Sequence, residues 1–179
     1  MSRILEAWEE LQREAMSTDY DEQQHAVFKI ALILERHNNP KRISDELYEE
    51  NLSRELLRLT LDDKRQRDAV NFLAAMVRAN DANAESFLYA IGRSKPALYA
   101  DVLLKLLRER GRKWTPEAGY EAVSALDACL RADLSDMKAL LQAYDPSEVL
   151  DEWAETHDDD FGAYADRVLE RVEALLGVA

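Results

Sequence analysis

The chain is poor in residues that interrupt helices, and it has no apolar run long enough to cross a membrane. Its 179 residues include only 5 glycines and 4 prolines, which favours long elements over many short strands. No apolar stretch approaches the ~20 residues that a membrane-spanning helix needs. The N-terminal sequence MSRILEAWEELQRE is charged throughout, so it lacks the apolar core of a signal peptide.

Cysteine is almost absent as well, which excludes an internal disulfide. The single Cys129 lies in the apolar stretch AVSALDACL, with Arg131 as its only basic neighbour. We therefore expect a small buried side chain and no reactive thiolate. Together with the lack of a signal peptide and of a membrane span, this predicts a cytoplasmic protein.

Positive charge is scarce and lies mostly in the middle of the chain. Lysine and arginine number 23 against 36 aspartates and glutamates, for a net charge of −13. Residues 61–114 hold 11 basic and 7 acidic side chains, a net +4, whereas residues 115–179 hold 4 basic and 16 acidic ones, a net −12. Such a field repels nucleic-acid phosphates and anionic lipid and attracts cations. We therefore expect a basic protein partner, no nucleic acid and no membrane; the alternative is that the acidity serves solubility alone.

Apolar residues recur at helical spacing in almost every segment, and no segment alternates as a strand would. The sequence therefore predicts an all-α protein of about ten antiparallel helices and no sheet. The predicted helices cover residues 3–16, 21–37, 41–60, 63–79, 84–93, 96–110 and 159–176, and further helices begin at Thr115, after Asp133 or Ser135, and at Asp145.

Short connections leave two architectures for a single domain of residues 1–179. One is a compact bundle, and the other is a short superhelix of stacked helix pairs. Residues 41–79, 84–110 and 115–144 each read as such a pair. In this helix rhythm the segment 41–144 resembles the HEAT and armadillo-like helical repeat families. The resemblance implies a scaffold that presents a surface to other proteins.

The most explicit helix start is the sequence WTPEAG. Thr115 can cap the helix, Pro116 suits its first turn, and Glu117 suits its positive end. Farther along the same helix, Asp127 lies close to the apolar stripe. We interpret Asp127 as the solvent edge of that stripe.

Four consecutive polar residues, His157 to Asp160, form a candidate metal site. In an EF-hand register with Gly162 at the sixth position, Val168 stands where the bidentate glutamate belongs. The pair His157-Asp158 resembles the metal-binding pair of HD-type phosphohydrolases, but the further aspartate of that family follows at long range, which the remaining chain does not allow. We therefore interpret the run as a helix boundary, where His157 ends one helix and an aspartate caps the next.

Two other spacings suggest metal ligands, and both sets are incomplete. Glu22-x-x-His25 has the spacing of ferritin-like di-iron sites, but the chain has no second copy. Glu46-x-x-Glu49 resembles the ExxE motif of helical nucleotide pyrophosphohydrolases, but no ExxD motif follows it nearby. The five glycines are isolated, so there is no glycine-rich phosphate loop. We expect no metal, no cofactor and no catalytic residue.

The run RERGRKW is the main basic feature of an otherwise acidic chain. It could bind an anion or an acidic partner, with Trp114 stacking beside an arginine. Alternatively, its cations simply stabilise the C-terminus of a helix. Trp114 and Trp153 are either core residues or anchors of an interface.

These features predict a non-catalytic protein-interaction module or scaffold with an acidic C-terminal surface. A sharper version is an inhibitor or immunity-like protein that neutralises a basic partner, and a homodimer could form through the apolar stripe of residues 161–176. The alternative is a helical enzyme, or a protein that binds a small molecule or metal at a site assembled from scattered helices. The residues predicted to bind the partner are Asp158, Asp159, Asp160, Asp166, Trp153, Arg110, Arg112, Lys113 and Trp114.

Overall fold

The computed structural model describes residues 2–178 as an all-α protein, which confirms the predicted fold class. That part of the chain contains eleven α-helices and no strand, with short 3-10 turns at Asp81–Asn83 and Gly111–Lys113. The helices are α1 (Arg3–Ala15), α2 (Tyr20–Asn38), α3 (Asp45–Asn51), α4 (Arg54–Leu57), α5 (Asp63–Ala79), α6 (Glu85–Ile91), α7 (Pro96–Arg110), α8 (Pro116–Arg131), α9 (Met137–Ala143), α10 (Ser147–Thr156) and α11 (Asp160–Leu176).

Several helices begin where the sequence predicts, because a polar side chain there satisfies a free backbone N–H group. The Asp62 carboxylate accepts a 2.8 Å hydrogen bond from the Arg65 N–H group, and the Thr115 hydroxyl accepts one of 3.3 Å from Ala118. Ser2, Asp19, Ser44, Ser53 and Asp159 cap α1, α2, α3, α4 and α11 in the same way.

The predicted helix over residues 41–60 is wrong, because this segment forms the two short helices α3 and α4. Leu52 between them is extended, with φ −111° and ψ 138°. Ser53 then starts α4 by accepting a 3.2 Å hydrogen bond from the Leu56 N–H group. A serine that caps a new helix competes with continuation of the previous one. Since Leu52 and Leu56 are both buried, the apolar spacing continues across the break and hides it.

The predicted cap of α9 is also wrong. α9 begins at Met137, and no side chain caps its first turn. Asp133 instead adopts a left-handed backbone conformation with φ 53° in the turn after α8. Aspartate tolerates that conformation better than most residues do, so its role is to reverse the chain.

The helices pack in two rows. The first row contains α2, α6, α8 and α11, which contact one another in that order, and the second contains α5, α7 and α9. α5 packs on α6 and α7 packs on α8, so these two helix pairs stack on each other. α1 lies against α2 and α4, and α10 lies against α11. Three neighbouring helices of the first row can therefore supply side chains to one surface.

Apolar residues of α2 and α7 form the centre of the core. Both helices bury side chains on several sides, as the sequence predicts for α2. Their most deeply buried residues include Ile30, Ile33, Leu34, Leu103, Leu104 and Leu107. Between residues 2 and 178, no helix combines the length and apolar character needed to cross a membrane.

Candidate functional site

The acidic run forms the corner between α10 and α11, as the helix-boundary interpretation predicts. α10 ends at Thr156, and Asp159 caps α11 by accepting a 3.2 Å hydrogen bond from the Gly162 N–H group. The His157 ring packs on Phe161, with ring centroids 5.0 Å apart. A Cβ atom on Gly162 would overlap the His157 carbonyl oxygen. The corner is therefore tight, and it requires glycine at position 162.

An open groove of about 480 Å³ follows the outside of this corner, and we call it the acidic groove. His157 and five carboxylates line it: Asp151, Glu155, Asp158, Asp159 and Asp166. All five carboxylate residues are exposed, and none of them forms an ion pair within the part of the chain that the structure describes. Among residues 2–178, no three histidine, cysteine or acidic side chains are placed to hold a metal ion. The groove is thus a concentrated negative surface open to solvent.

The structure brings only some of the predicted site residues into this groove. Asp158, Asp159 and Asp166 line it, whereas Asp160 is exposed beside it as the first residue of α11. The apolar stripe of α11 faces the protein's own core, because α11 packs on α8, α9 and α10. A homodimer would therefore have to use a different surface.

The basic run lies elsewhere and is largely bound to the protein's own polar groups. Arg110 pairs with Asp81 at 3.4 Å, and Arg112 Nε lies 2.6 Å from Glu152 Oε2. Arg108 donates a 3.1 Å hydrogen bond to the Ala143 carbonyl at the end of α9. Lys113 is exposed. These contacts tie α7 and the turn after it to α9, α10 and the 3-10 turn at Asp81–Asn83.

The two candidate tryptophans are core residues in this structure. Trp114 is 7% exposed and Trp153 is 6% exposed. The Trp153 ring packs on Phe161 with ring centroids 5.3 Å apart. Both indoles thus hold helices together and offer little area to a partner.

Asp127 is the residue that the sequence interpretation placed wrongly. It is 5% exposed and does not mark a solvent edge. Its carboxylate accepts a 2.9 Å hydrogen bond from the Tyr164 hydroxyl, and it pairs with Arg131 at 3.1 Å and with Arg171. Burial, together with the bond to Asp127, raises the pKa of Tyr164 to about 12. A buried carboxylate is tolerated here because two guanidinium groups and a phenol surround it.

A second concavity was not predicted, and it lies between α2, α6 and α8. This cleft has a volume of about 310 Å³. Tyr20 and Phe28 of α2 line one side, Glu85 and Tyr89 of α6 line another, and Glu121 of α8 completes it. These residues come from three distant segments, so no local sequence motif could have revealed the cleft. We call it the row cleft.

A buried polar cluster lies close to the row cleft. Glu35 of α2 is 2% exposed, and its carboxylate oxygens lie 3.4 Å from Arg42 Nε and 3.9 Å from Arg93 Nε. The Arg93 guanidinium also stacks over the Tyr89 ring, at 4.9 Å from its centroid. Glu35 and Tyr89 together hold Arg93 beside the cleft.

No protein-family model, curated protein or solved structure gives a significant match to this chain. The acidic groove and the row cleft are therefore the features of the structure that bear on its function.

Proposed function

We propose that the protein is a non-catalytic scaffold whose acidic groove docks a basic surface of another protein. The observation that carries this proposal is the set of five exposed carboxylates in one groove without a cationic partner in residues 2–178. Some acidic side chains elsewhere have such partners, as in the pairs Arg67–Asp101 and Arg112–Glu152. The groove thus concentrates five negative charges, unpaired within the described chain, on one surface.

The electrostatics of the groove suit a docking role. Exposed carboxylates keep their hydration until a partner arrives, and their combined field speeds the encounter with a basic protein. The glycine-dependent corner fixes the two helix ends that carry these side chains, so little conformational entropy is lost on binding. In the basic run, Arg110 and Arg112 already form ion pairs with Asp81 and Glu152. Lys113 is therefore the residue of this run that can contact an acidic patch of the same partner.

The packing of the helices is compatible with a HEAT- or armadillo-like scaffold. In such repeats, stacked helix pairs present extended surfaces to partners, and here the pairs α5–α6 and α7–α8 stack. The lone buried Cys129 suits a cytoplasmic setting. An inhibitor or immunity-like protein that neutralises a basic partner is the sharper form of the proposal.

The test compares three proteins of controlled charge. A groove variant carries Asp151→Asn, Asp158→Asn and Asp166→Asn, and a control carries Glu46→Gln, Glu49→Gln and Glu50→Gln on the exposed face of α3. Both variants lose three negative charges, so any difference between them reports position and not net charge.

The first measurement is capture of cytosolic proteins by each of the three proteins at low and high salt. We expect wild type and the α3 control to retain basic proteins at low salt. The groove variant should fail to retain the same proteins. Retention of the same proteins by all three would contradict the placement of the site. A second measurement titrates each protein with an arginine-rich peptide and follows backbone amide shifts, which should cluster at the α10–α11 corner only when the groove is intact.

A further inference from the structure

The row cleft combines aromatic rings with carboxylates in a way that the acidic groove does not. Tyr20 is 59% exposed and Phe28 is 39% exposed, and both rings border the cleft. Aromatic side chains that border a concavity are a common feature of small-molecule sites. Tyr89 adds a third ring. The cleft therefore has apolar and π-electron surface available to a ligand.

The charge in the row cleft is negative. Glu85 and Glu121 line it, and no lysine or arginine is among its lining residues in the described chain. The Arg93 guanidinium group lies 3.9 Å from Glu35, and its charge also favours the ionised form of Glu121. The charged lining residues in the described chain are thus the two carboxylates of Glu85 and Glu121. A cation would balance this negative charge.

Two polar groups that line the cleft have no hydrogen-bond or ion-pair partner among residues 2–178. The Ser86 hydroxyl is buried and forms no hydrogen bond among the described residues. Glu121 is half-buried, and burial raises the pKa of its carboxyl group; Arg93 opposes this rise, and Glu85 adds to it. A carboxylate with poor hydration gains more from a nearby cation than an exposed one does. Glu121 is therefore suited to a ligand that carries a hydrogen-bond donor with positive charge.

From this arrangement we infer that the row cleft binds a small organic cation, an amine joined to an aromatic or apolar body. The ammonium group lies between Glu85 and Glu121, and the apolar body contacts Tyr20 and Phe28. Aromatic faces attract ammonium groups as well as apolar surface. The cleft volume of about 310 Å³ lies at the lower end of the range for small-molecule sites. The inference is independent of the proposed docking function, because it uses different helices and different residues.

The experiment uses three probes of nearly equal size and different charge: phenethylamine, 2-phenylethanol and 3-phenylpropanoate. Binding to the 179-residue chain is measured by amide chemical-shift titration. We expect phenethylamine to bind with shifts at α2, α6 and α8, and at least about tenfold more tightly than the alcohol or the anion, since an ion pair to a partly desolvated carboxylate contributes more than 1.4 kcal/mol.

Variants of the cleft test which residues carry the binding. Glu121→Gln should weaken phenethylamine binding about tenfold, and it should fold because it removes a carboxylate that burial disfavours. Phe28→Ala, at a part-exposed position, should weaken it as well. Glu170→Gln, at an exposed position on α11, is the matched control and should bind like wild type.

Charge selectivity together with loss of binding in Glu121→Gln supports the inference. Any other pattern overturns it: no shifts in the cleft, equal binding of the three probes, or unchanged phenethylamine affinity in Glu121→Gln. The groove variant Asp151→Asn, Asp158→Asn and Asp166→Asn should leave phenethylamine binding unchanged. Phenethylamine binding by the groove variant therefore tests the cleft alone, so the cleft inference and the docking proposal can fail separately.

Discussion

The Tyr164 hydroxyl on α11 donates a 2.9 Å hydrogen bond to Asp127 on α8, 37 residues earlier in the chain. This bond belongs to the network that Arg131 and Arg171 complete around the buried carboxylate. It ties the helix that carries part of the acidic groove to a helix that lines the row cleft. The network thus joins the two candidate sites in one rigid part of the fold.

The Tyr164 hydrogen bond should stabilise the protein in a pH-dependent manner. The pKa of Tyr164 is raised from 10.0 to about 12 in the folded protein, so the stabilisation is complete below about pH 10 and declines as the pH approaches 12. Tyr164→Phe should lower the free energy of unfolding by about 1 kcal/mol at neutral pH. Urea denaturation of both proteins should show this difference shrinking above pH 10, and a constant difference would contradict the assignment.

The ion pair between Arg67 on α5 and Asp101 on α7 should stabilise the second row of helices at neutral pH. Both guanidinium Nη atoms lie 2.7 Å from carboxylate oxygens of Asp101. The bond to Arg67 lowers the pKa of Asp101, so the stabilisation is present above the ordinary aspartate pKa and is lost as the pH falls through the lowered one.

The substitution that tests this ion pair is Asp101→Asn. It should cost about 1 kcal/mol at pH 7, because solvent reaches about a third of both side chains and weakens the pair. Acid titration monitored by circular dichroism should show the two proteins converging in stability at low pH. Equal stability at pH 7 would mean that the pair contributes nothing.

Cys129 should be chemically inert in the folded protein. Burial raises the pKa of its thiol to about 12, so almost no thiolate forms at pH 8. Iodoacetamide should therefore label Cys129 only after denaturation, as mass spectrometry of native and urea-treated protein would show. Rapid native labelling would indicate that α8 opens far more often than its packing implies.

Gly162 should be far less replaceable than Gly177, although both lie on or beside α11. A Cβ atom at position 162 would overlap the His157 carbonyl oxygen, whereas nothing lies within 4 Å of one at position 177. Gly177→Ala should cost about 1 kcal/mol, because φ is +75° there. Gly162→Ala should cost at least about 2 kcal/mol, because the α10–α11 corner must open. Thermal denaturation ranks the two variants, and the reverse order would contradict the geometry of the corner.

Local chemistry in the sequence predicts the helix ends well. Thr115, Asp62 and Asp159 cap helices through hydrogen bonds to residues three positions later, so a short window of sequence contains the whole cause. The break after Leu52 was missed because apolar spacing continues through it, and only the Ser53 cap marks it.

Sites that depend on distant residues were harder to predict. Asp127 looks like an edge residue until Tyr164 and Arg171 of α11 are placed over it. The row cleft joins residues from three helices, and Tyr20 and Glu121 lie 101 residues apart in the chain. The acidic groove was easier, since Asp158 and Asp159 are adjacent in the sequence, although their neighbour Asp151 became evident only from the packing of α10 on α11.

In the proposed docking function, the position of the carboxylates in the acidic groove, and not the overall charge of −13, determines partner binding. The most direct test is the dissociation constant of a captured basic partner for wild type, for the groove variant and for the α3 control, each at low and high ionic strength. We predict weaker binding and a shallower salt dependence for the groove variant alone. Equal weakening in the groove variant and the α3 control would contradict the account, because only net charge would then matter.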